Sequence, residues 1–199
     1  MVSKRIFDII CSALGLIILA PMFIVIALLI KITSYGSIFF RQNRVGLHGE
    51  IFAIHKFRTM ITNAENVGPK ITIGNDTRIT KIGYFLRKTK LDETPQLIDV
   101  LRGKMSLVGP RPEVPEYAEL YQLEIRDIVL SIRPGITDWA SIKMIDENQI
   151  LAKAQNPKAT YINQIMPEKL AFAVKYVKTR SFMQDILIIV MTFIKIIKR

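Results

Sequence analysis

The chain has almost no cysteine. Cys11 is alone among 199 residues, which excludes a disulfide framework and a cysteine-built zinc site. Histidine is nearly as scarce. His48 and His55 stand apart with no partner at metal-ligand spacing, so both read as surface or packing residues. Acid is in short supply: 17 Asp and Glu face 28 Lys and Arg, a net charge of +11. Such a surplus suits an anionic membrane surface, nucleic acid or phosphorylated small molecules. There is no internal repeat and no low-complexity tract. One domain plus a membrane element is the natural organisation at this length.

What the chain does have is a long apolar run. From Ile9 to Ile30 nearly every residue is apolar, with Ala20-Pro21 in the middle. Lys4 and Arg5 precede the run, and Lys31, Arg41 and Arg44 follow it. About 20 apolar residues suffice to cross a bilayer. Basic residues at both ends place both flanks on the cytoplasmic side. A helix that leaves by the face it entered must bend, and Pro21 removes one backbone donor and crowds the preceding turn. The expectation is a re-entrant helix-break-helix over residues 1–32, broken at Ala20-Pro21, with 33–199 as a cytoplasmic membrane-associated domain. A proline-kinked transmembrane helix is the competing reading. A cleaved signal peptide is disfavoured, because no small-x-small site precedes a polar stretch.

Past this run the fold class reads as α+β, mostly helical. Ile38-Phe39-Phe40 and residues 50–57 read as two short strands, with Gly46 and Gly49 as turn residues between them. Residues 62–77, with Gly68-Pro69 and Gly74-Asn75-Asp76, read as a mobile loop. Ile79 to Lys90 has helical spacing, weakened by Gly83. Thr94-Pro95 reads as a cap and first-turn pair for a helix from Pro95 to Leu101, ending near Gly103. Pro110 and Pro112 fix the backbone around Arg111. Residues 116–130 read as one helix closed by Arg133-Pro134-Gly135. Lys169 to Lys178 is amphipathic. Ile186 to Ile197 is too short for a comfortable span, and reads either as an interfacial helix or as a helix packed on the core.

The residues best suited to chemistry are Asp92 and Glu93, just ahead of the predicted helix start. Free backbone donors and a partial positive charge gather there. A carboxylate there can attack phosphorus, and a neighbouring carboxylate can help hold magnesium. Ordinary capping explains such acids equally well on their own. The cations sharpen the reading. Lys56, Arg58, Arg87 and Arg111 supply what a diphosphate needs, because arginine grips phosphate oxygens in bidentate fashion.

Five ordered motifs then resemble one family. They are Phe39-Phe40-Arg41-Gln42-Asn43-Arg44-Val45-Gly46, Lys56-Phe57-Arg58-Thr59-Met60, Leu91-Asp92-Glu93-Thr94-Pro95-Gln96-Leu97, Ser106-Leu107-Val108-Gly109-Pro110-Arg111-Pro112 and Arg133-Pro134-Gly135-Ile136-Thr137. Together they are similar to the bacterial sugar transferases, the monotopic phosphoglycosyl transferases, in the small PglC-like form. The resemblance implies transfer of a phosphosugar from a UDP-sugar to undecaprenyl phosphate, with release of UMP, at the cytoplasmic face of the bacterial inner membrane. It implies a re-entrant N-terminal helix, Asp92 as nucleophile, Glu93 as its assistant and Mg2+ near Asp92. It also places Pro110, Pro112, Arg133, Gly135 and Thr137 near the nucleotide or sugar. Nucleic acid is not an expected partner.

Two departures stand out. Ala20 replaces the serine that often precedes the proline in this family. Asp138 to Asn148 replaces the family's usual continuation. A membrane-tethered basic module without catalysis, recruiting nucleic acid or an acidic partner, is the alternative from charge alone. A structural subunit without catalysis is a third reading, against which the intact Asp92-Glu93 pair stands.

Overall fold

In a computed structural model of the chain, the apolar run forms one helix, α1 (Val2–Thr33), with Pro21 inside it. The structure describes residues 2–67, 72, 74, 76–144 and 147–198. The helix stays regular through Ala20 and Pro21, where the sequence reading expects a break into two helices. A proline in a helix forfeits one bond to the preceding turn, and the helical bonds on either side carry the rest.

Most of α1 is uncovered. Ile10, Leu14, Ile17, Ile18, Ile24, Val25, Leu28 and Ile32 are exposed, while Asp8, Ser12, Ile26 and Ile30 are buried. The buried stripe lies on the rest of the chain at both ends. Near the start, Lys4 Nζ donates to Asp185 at 2.6 Å, Arg5 donates to the Val100 carbonyl at 2.7 Å and Ser106 Oγ donates to Asp8 at 2.8 Å. Near the end, Ile26 and Ile30 pack with Phe57 and Leu86. The Phe23 ring meets Phe57 edge-on, with centroids 5.0 Å apart.

The hairpin is longer than its apolar residues announce. β1 (Phe39–Val45) pairs antiparallel with β2 (Ile51–Phe57), from Phe39↔Phe57 to Val45↔Ile51. The polar run Arg41 to Arg44 hides the second half of β1 from an apolar pattern. His48 sits in the turn at φ 54° and donates its backbone N–H to the Leu130 carbonyl at 2.8 Å. This is an exposed turn position, on the surface side of the surface-or-packing reading.

A helical turn, α2 (Ala64–Val67), folds part of the stretch expected as a loop. Gly68, Pro69 and Asn75 of that stretch lie outside the described residues. α3 (Lys81–Thr89) starts at Thr80, whose hydroxyl accepts from the Gly83 N–H at 3.0 Å. A 3-10 turn (Leu91–Glu93) leads into α4 (Gln96–Leu101). Thr94 does not cap α4: its hydroxyl donates to the Leu91 carbonyl at 2.7 Å. Gly103 follows at φ 79°.

β3 (Ser106–Val108) and β4 (Gly135–Thr137) form a second sheet, parallel, in register Ser106↔Gly135 and Val108↔Thr137. Three-residue strands are too short to show alternation, so sequence reading missed the pair. The helix expected over 116–130 is two, α5 (Pro115–Ala118) and α6 (Leu123–Val129).

Then come α7 (Trp139–Lys143), α8 (Glu147–Lys153), α9 (Pro157–Thr160) and a π turn (Tyr161–Ile165) that runs into α10 (Met166–Thr179). α11 (Phe182–Ile197) starts at Ser181, which accepts from the Gln184 N–H at 3.2 Å. α11 packs on the core, as one of its two readings expects, and leaves its other side uncovered. Asp185 and Ile188 are buried on the core, while Phe182, Met183, Leu187, Val190, Phe193 and Ile197 are exposed. Phe7 of α1 touches Phe182 edge-on, so this face adjoins the exposed face of α1.

Candidate active site

Asp92 and Glu93 lie in the 3-10 turn that joins α3 to α4, and both are buried. The turn is forced by Lys90, which adopts the left-handed conformation at φ 61°. A non-glycine residue at positive φ is uncommon and calls for a local reason. Here it ends α3 and turns both carboxylates inward.

Two elements lock this turn. Asp99 of α4 accepts from the backbone N–H of His55 at 2.8 Å and lies 2.6 Å from His55 Nδ1. That bidentate contact ties α4 to β2, the strand carrying Lys56. On the other side, α3 lies so close to the strand exit that a methyl on Gly83 would collide with the Thr59 backbone, 2.6 Å from its carbonyl carbon. Gly83 therefore serves a close helix-to-strand approach. It is not merely a weak spot in the helix. The approach lets Arg87 donate to Thr59 Oγ1 at 2.8 Å and to Thr72 Oγ1 at 2.9 Å.

Glu93 is clamped. Lys56 Nζ donates to Oε1 at 2.9 Å and Arg111 Nη1 donates to Oε2 at 3.1 Å, while Arg111 Nη2 also donates to Oε1. Burial opposes its ionisation. Arg111 first, then Lys56 and Lys90, outweigh that and hold the carboxyl well below the usual carboxylate range. Glu93 in turn pushes the Arg111 guanidinium up. Burial lowers the Lys56 ammonium to about 8, against the opposing pull of Glu93.

Asp92 is the opposite case. Its Oδ1 is fully buried and has no hydrogen-bond partner among the described residues. Burial, then the charge of Glu93, push its carboxyl up, and Lys56, Lys90 and Arg87 offset part of this. Two adjacent carboxylates with divergent environments are the usual sign of divided chemical roles.

Arg111 is held from behind. Pro110 and Pro112 flank it, its N–H donates to Asp138 at 3.3 Å, and the Pro110 carbonyl accepts from the Gly135 N–H at 3.0 Å. Arg44 Nη1 donates to the Pro112 carbonyl at 3.2 Å, and Val45 donates to the Glu113 carbonyl at 2.9 Å. Asp138 also caps α7 by accepting from Ser141 at 2.8 Å. The departed segment thus begins with a residue that touches the Arg111 backbone. Ile145 and Asp146 of that segment lie outside the described residues.

The fold gathers Asp92, Glu93, Lys56, Arg87 and Arg111. It uses other expected site residues elsewhere. Arg58 is buried and donates to the carbonyls of Tyr35 at 2.7 Å and Ser34 at 2.9 Å, and to the Ser34 hydroxyl at 2.8 Å. Those bonds fasten the exit of α1 and leave its terminal nitrogens engaged away from the carboxylates. Arg133 Nε donates to the Gly103 carbonyl at 2.7 Å. Thr137 Oγ1 lies 2.7 Å from Thr192 Oγ1 and bolts β4 to α11. Gly135 serves the backbone crossing under Pro110. Lys90 and Arg44 join the charges acting on the pair, although no motif argument singled them out for the site.

Asp92 Oδ1, buried and unpartnered among the described residues, is the carboxylate oxygen that could take a divalent cation. Among the described residues no group of three or more His, Cys, Asp and Glu stands ready to hold a metal. With Glu93 engaged by Lys56 and Arg111, Asp92 is the carboxylate left to offer magnesium, whose other positions would fall to water and substrate phosphate.

The model of the bacterial sugar transferase family matches residues 1–199. A UDP-glucose:undecaprenyl-phosphate glucose-1-phosphate transferase of Escherichia coli is 38% identical over 196 residues, covering 96% of this chain and 39% of the relative. One of the same name from Klebsiella pneumoniae is 40% identical over 199 residues, covering 98% and 40%. The exopolysaccharide production protein ExoY of Sinorhizobium fredii is 35% identical over 207 residues, covering 96% and 84%. The chain thus spans about two-fifths of the length of the first two relatives.

Proposed function

This chain belongs to the bacterial sugar transferase family, and from that premise we propose that it moves a phosphosugar from a UDP-sugar to undecaprenyl phosphate. UMP is the first product. Asp92 attacks the β-phosphorus, the bond to the α-phosphate oxygen breaks, and UMP leaves with that oxygen. An oxygen of the lipid phosphate then attacks the same phosphorus. The acyl-phosphate bond breaks, which restores Asp92 and yields the lipid diphosphosugar. The observation that carries this reading is the contrast at the pair: Asp92 Oδ1 is buried and unpartnered beside a carboxylate held by Lys56 and Arg111.

The residues divide the work. Arg111, Lys56 and Arg87 draw the diphosphate to Asp92 and offset charge as it moves between oxygens. Glu93 keeps those cations ordered and stands next to the incoming lipid phosphate. Magnesium held by Asp92 Oδ1, when bound, neutralises phosphate charge. The apolar surface of α1 and α11 brings the site to the water–lipid boundary, where both substrates meet it in turn.

Entry and exit by one membrane face requires α1, a single helix through Pro21 in the structure, to bend there in the bilayer, and the contacts of both its ends with the domain support that reading. A helix crossing the bilayer would carry one end away from the domain. In this reading the domain lies at the cytoplasmic face of the inner membrane, on anionic lipid, as the basic flanks of α1 suggest.

The direct test is UMP release from a panel of UDP-sugars with undecaprenyl phosphate, Mg2+ and membranes carrying the chain. UDP-glucose leads the panel, because two relatives are named for glucose. Release with one donor supports the proposal, and silence with every donor rejects it. The same assay has a predicted pH limb. Lys56 holds phosphate only as a cation, and its ammonium sits at about 8. It is charged below that pH and neutral above it. Thus kcat/KM for the UDP-sugar falls as pH rises through about 8, a free-enzyme property. Lys56→Arg should move the limb upward. A profile flat through that pH removes Lys56 from phosphate binding.

A further inference from the structure

The donors around Glu93 are already in use. Lys56 gives one hydrogen bond and Arg111 gives two, one to each carboxylate oxygen. A guanidinium fork grips carboxylate and phosphate by the same geometry. If phosphorus is to come within reach of Asp92, its oxygens need cations at this spot. Those cations are the ones Glu93 holds. Two anions therefore claim one set of donors.

We propose that the Glu93 carboxylate occupies the seat of a substrate phosphate in the resting enzyme, and that the nucleotide diphosphate takes Lys56 and Arg111 from it on binding. The inference rests on the transferase reading and adds an internal competitor to it. The arrangement has a physical reason. Largely buried cations left without a counter-ion are costly, so an empty phosphate seat needs a stand-in. The backbone that carries Arg111 is fixed. Arg111 is pinned by two prolines, by Asp138 and, through Pro112, by Arg44. Glu93 has rotatable side-chain bonds on a short turn and can swing away. Once displaced, its carboxylate stays beside Asp92 without its clamp, at the moment when a donor phosphate is in place.

The test is binding of UDP and UMP to the purified full chain in detergent, with a chelator present so that no metal contributes. Glu93→Gln should bind UDP about tenfold more tightly than the unsubstituted chain, since the competing charge is gone. Asp92→Asn removes the same charge one residue away, but Asp92 accepts none of the three hydrogen bonds. Its affinity should stay within about twofold of the original. Equal or weaker binding by Glu93→Gln overturns the proposal. So does an equal gain in Asp92→Asn, because the effect is then charge alone. If no form binds UDP or UMP, with the chelator or with magnesium restored, the transferase reading falls with it. Glu93→Ala gives a separate readout, since it leaves Lys56 and Arg111 bare. UMP should raise its melting temperature by more than it raises that of the unsubstituted chain, and an equal rise contradicts the seat.

Discussion

Asp92→Asn is expected to lower sugar-phosphate transfer by about 10³-fold or more, the scale of losing a covalent nucleophile. An amide nitrogen or oxygen does not form the acyl phosphate. The change is close to isosteric, so packing around the 3-10 turn persists. Stability should hold, for a physical reason. Asp92 is buried, its Oδ1 has no partner, and burial together with Glu93 pushes its carboxyl up. A carboxyl whose folded pKa is raised costs stability that builds as pH climbs past its unfolded pKa and is complete above the folded one. Near neutrality the neutral amide removes this cost. UMP release and thermal melting on one preparation check both halves: activity lost, melting temperature equal or higher. Retained turnover in the folded variant removes Asp92 from the nucleophile role.

The second large effect is structural. Gly135→Ala should destabilise the domain by about 3 kcal/mol, the upper end of overpacking costs. That is a drop in melting temperature of about 6–12 °C for a chain of this size. A Cβ at Gly135 would fall 2.7 Å from the Val108 carbonyl carbon and 2.5 Å from the Gly109 carbonyl oxygen. Both are backbone atoms and cannot step aside as a side chain would. The strain falls where β3 crosses β4, beneath Pro110 and Arg111. Activity should therefore fall more than melting alone explains, because the Arg111 fork moves off its seat. Differential scanning on Gly135→Ala checks this, with Gly36→Ala as a comparison. Gly36 lies at φ 119° near the exit of α1, away from the β3–β4 crossing. An unshifted melting temperature in Gly135→Ala means the crossing relaxes freely.

These two residues mark what the sequence discloses and what it withholds. Asp92 and Glu93 were legible because adjacent acids before a helix are a local pattern. Arg111 was legible because prolines on both sides leave it one backbone path. Their meeting was not legible: the ion pair between Glu93 and Arg111 joins residues 18 apart, and no spacing rule reaches across a strand and a turn. Gly135 reads locally as part of a turn, yet its role is a contact between two parallel strands too short to show a pattern. Gly83 misleads in the same way. Alone it weakens a helix, and in the fold it admits the Thr59 backbone. Arg58 shows the converse error. It sits two residues from Lys56, so on an extended strand both cations seem bound for one site. The chain has left β2 by then, and the guanidinium turns to Ser34 and Tyr35. Lys90 needed its backbone angle to be noticed. α1 was legible as a long apolar helix from composition, whereas its contacts at both ends came only with coordinates.

The account turns on a phosphosugar carried by Asp92, and intact-mass measurement reads it directly. The purified chain is incubated with its UDP-sugar and magnesium, with no lipid acceptor, then quenched and weighed. The predicted result is a gain of one sugar phosphate, matched by one UMP per chain, erased by added undecaprenyl phosphate and absent in Asp92→Asn. An unchanged mass, with UMP appearing only when the acceptor is present, would contradict the account and point to direct transfer between the two substrates.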